Sequence, residues 1–132
     1  MKKPTILCVD DEQIVLTSLI GQLNNFLGPQ FNYEGFTDAG EALEFLQEVQ
    51  IEGSIPSLII SDWLMPKMRG DEFLIKVHKQ YPAIQLIMLS GQADEECIVR
   101  AKKEANLFKF VSKPWDKNEL IGDIKRALET NS

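Results

Sequence analysis

The stretch ILCVDDE, residues 6–12, joins a short apolar run to three consecutive acidic residues. Ile6, Leu7 and Val9 predict a buried β-strand, whereas the acids after them have no basic neighbour in the stretch. Adjacent carboxylates repel one another, by about 4 kcal/mol for two charges about 4 Å apart at an effective dielectric constant of about 20. Repulsion of this size at the end of a buried strand is unfavourable by itself, so the acidic cluster needs an explanation.

The hydrophobic pattern divides the rest of the chain into alternating strands and helices. Helical spacing of apolar residues predicts five helices, the last two at Asp94–Ala105 and Asp116–Leu128. Asp38 and Asp116, each with Glu three residues later, have the spacing of a capping box. This alternation predicts an α/β fold with a parallel sheet covered by helices on both faces. The five predicted strands are Thr5–Val9, Phe31–Phe36, Leu58–Ile60, Ile84–Leu89 and Leu107–Val111.

Length and composition favour one globular domain over residues 1–132, with 44% hydrophobic and 26% charged residues. No apolar run approaches the ~20 residues that cross a bilayer, so we expect no membrane association. The net charge of −6 argues against nucleic-acid binding, because a phosphate backbone would repel the chain. Cys8 and Cys97 have no Cys or His at metal-ligand spacing, which favours reduced core thiols in a cytoplasmic protein.

Polar residues cluster where the predicted strands end. In an open parallel sheet, ligands bind beyond the carboxyl ends of the strands, so these residues should share one edge. We therefore expect carboxylates, a hydroxyl group and an ammonium group to converge there. The residues are Asp10, Asp11 and Glu12 after the first strand, Asp62 after the third, Ser90 after the fourth and Lys113 after the fifth.

These residue types favour a metal-assisted phosphoryl site. Clustered carboxylates raise one another's pKa and destabilise the fold unless a cation binds them. Oxygen ligands without nearby His or Cys favour Mg²⁺, with Mn²⁺ as the alternative. Lys113 supplies a charge for a phosphoryl oxygen, and Ser90 supplies a hydrogen bond. A carboxylate can be the nucleophile in phosphoryl transfer, and Asp62, alone on the central strand, is the candidate.

Four motifs resemble the receiver domain of two-component response regulators. They are VDDE at 9–12, SDWLMP at 61–66 with the later Gly70, LSGQAD at 89–94, and FVSKPW at 110–115. The resemblance implies a flavodoxin-like (βα)5 fold of strand order 2-1-3-4-5, with Asp62 as the phosphoacceptor. It also implies that Asp11, Asp62 and the backbone carbonyl of Leu64 bind Mg²⁺ directly, while Asp10 acts mainly through bound water.

The same resemblance assigns roles around the phosphoryl group. Ser90 and Lys113 match the residues that contact it, and Phe110 matches the switch aromatic. Ser90 stands where Thr is common and Phe110 where Tyr is common, and both changes soften the coupling to the surface. The loop that aims Lys113 predicts a cis peptide bond before Pro114.

Two further side chains should tune the lifetime of the phosphorylated state. Leu64, two residues past Asp62, and Gln92, two residues past Ser90, should flank the approach of the hydrolytic water. Leu64 excludes water and Gln92 can orient it, and we expect the apolar side chain to dominate. The sequence therefore predicts slow self-dephosphorylation.

As a receiver, the chain would be a phosphorylation-dependent switch and not an enzyme with a separate substrate. The phosphoryl donor would be a sensor histidine kinase or a histidine phosphotransfer protein. The output surface would combine the Asp94–Ala105 helix, the fifth strand and the closing helix. An output domain, a partner protein or a second copy in a phosphorylation-dependent homodimer would dock there. Whether the chain is free-standing or part of a larger protein stays open.

Two other function classes share parts of this pattern. A flavin-binding electron carrier can have this fold, but its first loop should be rich in Ser, Thr and Gly to receive a phosphate. A haloacid-dehalogenase-type phosphatase also uses Mg²⁺, but it has a DxD arrangement with a nearby Thr and usually a cap insertion. The adjacent acids at 10–12 match neither pattern.

Each site residue also has a simpler interpretation. Asp10 and Asp11 suit a solvated helix start, because Asp is favoured near helix N-termini. Lys113 fits a surface charge, Ser90 a plain turn, and Phe110 an ordinary core position. Their joint occurrence at strand ends favours the site.

Overall fold

The computed structural model describes residues 3–92 and 94–130 of the chain. In the described residues, five strands alternate with five helices, and each strand is followed by a helix. The strands are β1 Thr5–Val9, β2 Asn32–Phe36, β3 Leu58–Asp62, β4 Gln85–Ser90 and β5 Lys109–Ser112. The helices are α1 Gln13–Leu27, α2 Ala39–Ile51, α3 Gly70–Gln80, α4 Glu95–Glu104 and α5 Lys117–Thr130.

All neighbouring strands pair in parallel, in the order β2-β1-β3-β4-β5. This order confirms the predicted flavodoxin-like α/β fold. Strand β3 lies at the centre of the sheet, and every one of its residues is buried. A continuous apolar run is what a parallel strand covered on both faces requires.

The hydrophobic core consists of two layers, one on each face of the sheet. Alternate residues of a strand point to opposite faces, and β1 shows this directly. Leu7 and Val9 pack in the layer that includes residues of α2, α3 and α4. Ile6 and Cys8 pack in the layer that includes residues of α1 and α5. The sheet is thereby fixed between two apolar layers.

Several predicted boundaries differ from the observed ones by one or two residues. Helices α4 and α5 begin after Asp94 and Asp116, because each Asp is a cap and not part of the helix. The Asp94 carboxylate accepts a hydrogen bond from the backbone N–H of Cys97 at 2.8 Å, and that of Asp116 accepts one from Glu119 at 3.0 Å. These bonds satisfy N–H groups that have no partner within the helix.

One cysteine prediction is wrong. Cys8 is fully buried in β1, and burial raises the pKa of its thiol to about 12. Cys97, however, is only half-buried, because it lies in the first turn of α4 and not in either core layer. Both thiols are free. No helix within residues 3–92 and 94–130 is long and apolar enough to cross a membrane.

Candidate metal and phosphoryl site

The predicted polar residues meet at the carboxyl ends of the strands. Asp10 directly follows β1, Asp62 and Ser90 end β3 and β4, and Lys113 directly follows β5. Asp10 is buried next to Lys113, whereas Asp62, Ser90 and Lys113 line an open cavity of about 520 Å³. Its lining includes Asp11, Asp62, Leu64, Ser90, Gln92 and Lys113.

Three carboxylates form an acidic cluster, and two of them, Asp11 and Asp62, line this cavity. Asp10, Asp11 and Asp62 each offer an oxygen atom, and these atoms all lie within 4.8 Å of one another. Asp10 and Asp62 are buried, whereas Asp11 is exposed to solvent. A cluster of oxygen donors with one exposed member fits a hard divalent cation that enters from solvent. These three side chains therefore suit Mg²⁺ or Mn²⁺.

Lys113 supplies the positive side of the cavity. Its ammonium nitrogen lies 2.9 Å from Oδ1 of Asp62 and 3.0 Å from Oδ2 of Asp10. The peptide bond between Lys113 and Pro114 is cis, the geometry that the sequence predicts. Lys113 thus joins the end of β5 to the ends of β1 and β3.

Burial shifts the protonation equilibria of this ion pair. Burial raises the pKa of Asp62 above its usual value, the hydrogen bond from Lys113 opposes this rise, and the charge of Asp10 adds to it. Burial acts to lower the pKa of Lys113, but its hydrogen bonds to Asp62 and Asp10 outweigh that effect and raise the pKa overall. Lys113 therefore stays charged, and an additional cation would favour the ionised form of Asp62.

Asp10 is held by the protein on both carboxylate oxygens. Oδ1 accepts a hydrogen bond from the backbone N–H of Glu12 at 2.9 Å, and Oδ2 accepts one from Lys113. Asp10 is therefore oriented before any ligand arrives. An acid with both oxygens engaged in this way suits a role through bound water, whereas exposed Asp11 suits direct binding.

Ser90, Leu64 and Phe110 occupy different depths around the cavity. Ser90 is 3% exposed, and its Oγ accepts a hydrogen bond from the backbone N–H of Gln92 at 3.0 Å. The Leu64 side chain, 52% exposed, stands at the rim. Phe110 in β5 is half-buried against the core layer that contains α4. The structure therefore brings Ser90, Leu64 and Gln92 to one cavity, whereas Phe110 packs against the core and does not line it.

Gly70 shapes the loop that follows Asp62. Its N–H donates a hydrogen bond to the carbonyl of Trp63 at 2.7 Å, which closes the loop of residues 63–69. A Cβ atom at Gly70 would lie only 2.0 Å from the backbone oxygen of Asp62 and 2.8 Å from Cα of Trp63. Glycine is therefore required here by close backbone approach directly beside the candidate phosphoacceptor.

Sequence reasoning missed a buried acid next to this loop. Asp71, in the first turn of α3, is 0% exposed. It accepts hydrogen bonds from the indole N–H of Trp63 at 3.1 Å and from Arg69 at 3.2 and 3.3 Å, and Arg100 lies 3.6 Å away. An Asp in a first helical turn is ordinary, so the sequence carries no signal for these contacts.

A second missed acid is Asp123 in α5, which is 2% exposed. It forms ion pairs with Lys109 of β5 and with Arg126. Asp123 stands three residues after Leu120 and one before Ile124, both of which are buried. An acid in an apolar helical stripe was a signal that could have identified it.

Comparison with known proteins matches this chain to one family. The sequence model of the family described as response regulator receiver domain matches residues 6–125. The hydrogenase transcriptional regulatory protein HoxA of Cupriavidus necator is 33% identical over 97% of this chain and 25% of its own length. The chain thus spans about a quarter of that curated relative.

Solved structures agree over nearly the whole chain. The signal receiver domain of an HD domain-containing protein from Pseudomonas fluorescens Pf-5 superposes with a TM-score of 0.86, at 30% identity. That match covers 99% of this chain and 90% of the other. A CheY-like response regulator receiver domain protein from Methanospirillum hungatei JF-1 gives a TM-score of 0.83 at 32% identity, covering 98% and 97% of the two chains.

Proposed function

The chain belongs to the family of response regulator receiver domains, and on this basis we propose that Asp62 is the phosphoacceptor of a two-component signalling module. The observation that carries the proposal is the meeting of three carboxylates and the Lys113 ammonium at one sheet edge. Asp62 is the carboxylate on the central strand, and it faces both the other acids and Lys113.

Asp11, Asp62 and the backbone carbonyl of Leu64 are the groups that would hold Mg²⁺, with Asp10 contributing through water. Asp11, Asp62 and Leu64 all line the cavity. The bound cation would neutralise the carboxylates and the negative charge on the phosphoryl group. Mn²⁺ suits the same oxygen ligands.

Phosphoryl transfer needs a nucleophile, a donor and a leaving group. A carboxylate oxygen of Asp62 attacks the phosphorus of a phosphohistidine on the donor protein. The new O–P bond gives an aspartyl phosphate, while the P–N bond breaks and its electron pair stays on the donor imidazole. Lys113 and the Ser90 hydroxyl donate hydrogen bonds to phosphoryl oxygens, which stabilises their charge.

Loss of the phosphoryl group reverses the modification without regenerating the donor. Water attacks phosphorus, the bond between phosphorus and the Asp62 oxygen breaks, and inorganic phosphate leaves. This self-dephosphorylation is slow, because the apolar side chain of Leu64 shields the approach of the water and outweighs Gln92, which can orient water at the same rim. The module therefore catalyses its own modification and acts on no separate small substrate.

Phosphorylation would reach the surface through Ser90 and Phe110. The Ser90 hydroxyl moves toward the phosphoryl oxygens, and Phe110 fills the space that Ser90 leaves. The output surface consists of α4, β5 and α5, and Phe110 lies within it. The two arrangements of Ser90 and Phe110 both exist before phosphorylation, and the phosphoryl group shifts their populations.

The proposed partners follow from this scheme. A sensor histidine kinase or a histidine phosphotransfer protein supplies the phosphoryl group at the open cavity. An output domain, a partner protein or a second copy of the chain reads the α4-β5-α5 surface.

Incubation with acetyl phosphate and Mg²⁺ tests the proposed function against its alternatives. We expect one phosphoryl group per chain, stable in acid and labile in base, and none when the cation is chelated. Continuous release of phosphate without a lasting mark would indicate a phosphatase instead. A yellow protein with a flavin spectrum would indicate an electron carrier.

A further inference from the structure

Asp71 makes contacts that extend well beyond its own helix. Its carboxylate is fully buried, and its three partners come from two other segments: Trp63 and Arg69 from the two ends of the loop after β3, and Arg100 from α4. A buried carboxylate is stable only when charged or hydrogen-bonding groups surround it. Loss of any one partner therefore disfavours the whole arrangement.

The contacts with Trp63 and Arg69 fix both ends of the loop that follows Asp62. Trp63 adjoins Asp62 directly, and Arg69 is the last residue before α3. The loop between them includes Leu64, whose carbonyl is a proposed metal ligand and whose side chain lines the cavity. A displacement of this loop is therefore transmitted to the Asp71 carboxylate.

The contact with Arg100 extends the arrangement to α4. A terminal nitrogen of Arg100 lies 3.6 Å from Oδ2 of Asp71, while Nε lies 2.8 Å from Glu104 one turn further along α4. Arg69 and Arg100 are 42% and 47% exposed, so both guanidinium groups reach inward from the surface to one buried acid. Helix α4 is thereby tied to the loop beside the candidate phosphoacceptor.

The geometry points to Asp71 as a positioning residue that couples the loop of residues 63–69 to α4, by a route separate from Ser90 and Phe110. This inference rests on the proposed function, because it concerns how that same site regulates its output helix. The occupied site orders the loop, Trp63 and Arg69 carry the change to Asp71, and Arg100 carries it to α4. Ser90 and Phe110 act on the other side of the cavity, through β4 and β5.

Backbone hydrogen–deuterium exchange tests the coupling. The parent chain, Asp71→Asn and Arg100→Gln are compared with and without Mg²⁺ plus beryllofluoride, which stands in for the phosphoryl group. In the parent, we expect exchange to change both in the loop and in α4. In Arg100→Gln, we expect the loop to respond as before while the response of α4 falls by at least half.

The Trp63 indole N–H gives a second readout, since it donates directly to Asp71. Its ¹H–¹⁵N signal can be assigned because it is lost in Trp63→Phe. We expect the chemical shift of this signal to differ from that of the parent in Asp71→Asn, and to differ by less in Arg100→Gln. We also expect Asp71→Asn to weaken Mg²⁺ binding several-fold, because the loop loses its anchor. If Asp71→Asn does not fold, Arg100→Gln still tests the coupling, because Arg100 is about half exposed.

Glu104→Gln is the matched control, because it removes the other ionic partner of Arg100 and leaves Asp71 untouched. We expect α4 in this variant to respond as in the parent. Loss of the response in Glu104→Gln, or a full response of α4 in Arg100→Gln, would overturn the coupling. A parent in which only the loop responds would also overturn the coupling, while the proposed function stands. A parent in which neither segment responds would refute both.

Discussion

Lys113 and Asp62 form an ion pair across two strands that are not neighbours, with Nζ of Lys113 2.9 Å from Oδ1 of Asp62. Lys113 follows β5 and Asp62 ends β3, and β4 lies between them. Neighbouring strands are about 4.8 Å apart, so the backbones of β3 and β5 lie about 10 Å apart, and the side chains of Lys113 and Asp62 together bridge that gap. Ser90 ends the strand that the lysine crosses. This relationship brings the Lys113 ammonium group to the candidate phosphoacceptor, with Ser90 on the strand between them.

Asp11→Ala should weaken Mg²⁺ binding by about tenfold or more, because it removes a proposed direct ligand. In metal-free buffer it should raise the free energy of unfolding by up to about 0.5 kcal/mol, since repulsion is relieved but Asp11 is exposed. Trp63 fluorescence can report both effects. Glu12→Gln is the control, since it removes a neighbouring charge from the same cavity. Unchanged Mg²⁺ affinity in Asp11→Ala would count against the metal site.

Gly70→Ala should lower the free energy of unfolding by about 1–3 kcal/mol, because the new Cβ would overlap the carbonyl oxygen of Asp62. It should also slow phosphorylation, since the loop must shift away from Asp62. Gly21→Ala in α1 is the matched control, because a Cβ there meets nothing within 4 Å. We expect the free energy of unfolding of Gly21→Ala to rise by about 0.5–1 kcal/mol, because alanine favours a helix more than glycine does. Urea denaturation measures the free energy of unfolding of both variants. Equal stability of Gly70→Ala and Gly21→Ala would disprove the close approach of Gly70 to the Asp62 carbonyl.

Asp94→Ala should destabilise the protein in a pH-dependent manner. The hydrogen bond from the backbone N–H of Cys97 lowers the pKa of Asp94 below its usual value of 3.8. The stability that the ionised group contributes is therefore fully present above pH 3.8 and is lost as pH falls through the lower pKa of the folded state. Urea denaturation of parent and variant should show a difference that shrinks in acid. Asp94→Asn retains a hydrogen-bond acceptor at the cap position, so its free energy of unfolding at neutral pH should lie between those of the parent and Asp94→Ala.

Leu64→Asn should lose phosphate several-fold faster than the parent, because an amide at the rim can orient the attacking water that Leu64 excludes. Gln92→Ala should lose phosphate more slowly, since it removes the polar side chain from the same rim. Both rates can be followed by decay of the phosphorylated species after the phosphoryl donor is removed. The account of the slow lifetime fails if Leu64→Asn decays no faster than the parent.

The apolar-to-acidic stretch at residues 6–12 was sufficient to predict both β1 and one side of the site. The hydrophobic pattern gave a third strand of Leu58–Ile60, but β3 extends to Asp62. Ser61 and Asp62 are buried at 0% and 5% exposure, and the Ser61 hydroxyl donates a hydrogen bond to the Asp62 carbonyl. Polar residues that are buried inside a strand break the apolar run, so periodicity alone ends the strand too early.

The contacts of Asp71 could not be predicted for a different reason. Its partner Arg100 is distant in sequence, and only the packing of α3 against α4 brings Arg100 to it. Trp63 lies eight residues before Asp71, across a loop that has no periodic pattern. The convergence of Asp10, Asp62 and Lys113 was predictable, because the ends of parallel strands meet by a general rule of topology. No comparable rule says which surface arginine reaches a buried acid between two helices.

The most direct measurement is the intact mass of parent and Asp62→Asn after incubation with acetyl phosphate, with and without Mg²⁺. Asp10→Asn and Asp11→Asn serve as controls, because they change the neighbouring acids and retain Asp62. We expect the parent to gain one phosphoryl group only with Mg²⁺, the controls to gain it more slowly, and folded Asp62→Asn to gain none. Stoichiometric phosphorylation of Asp62→Asn would contradict the assignment of Asp62 as the phosphoacceptor.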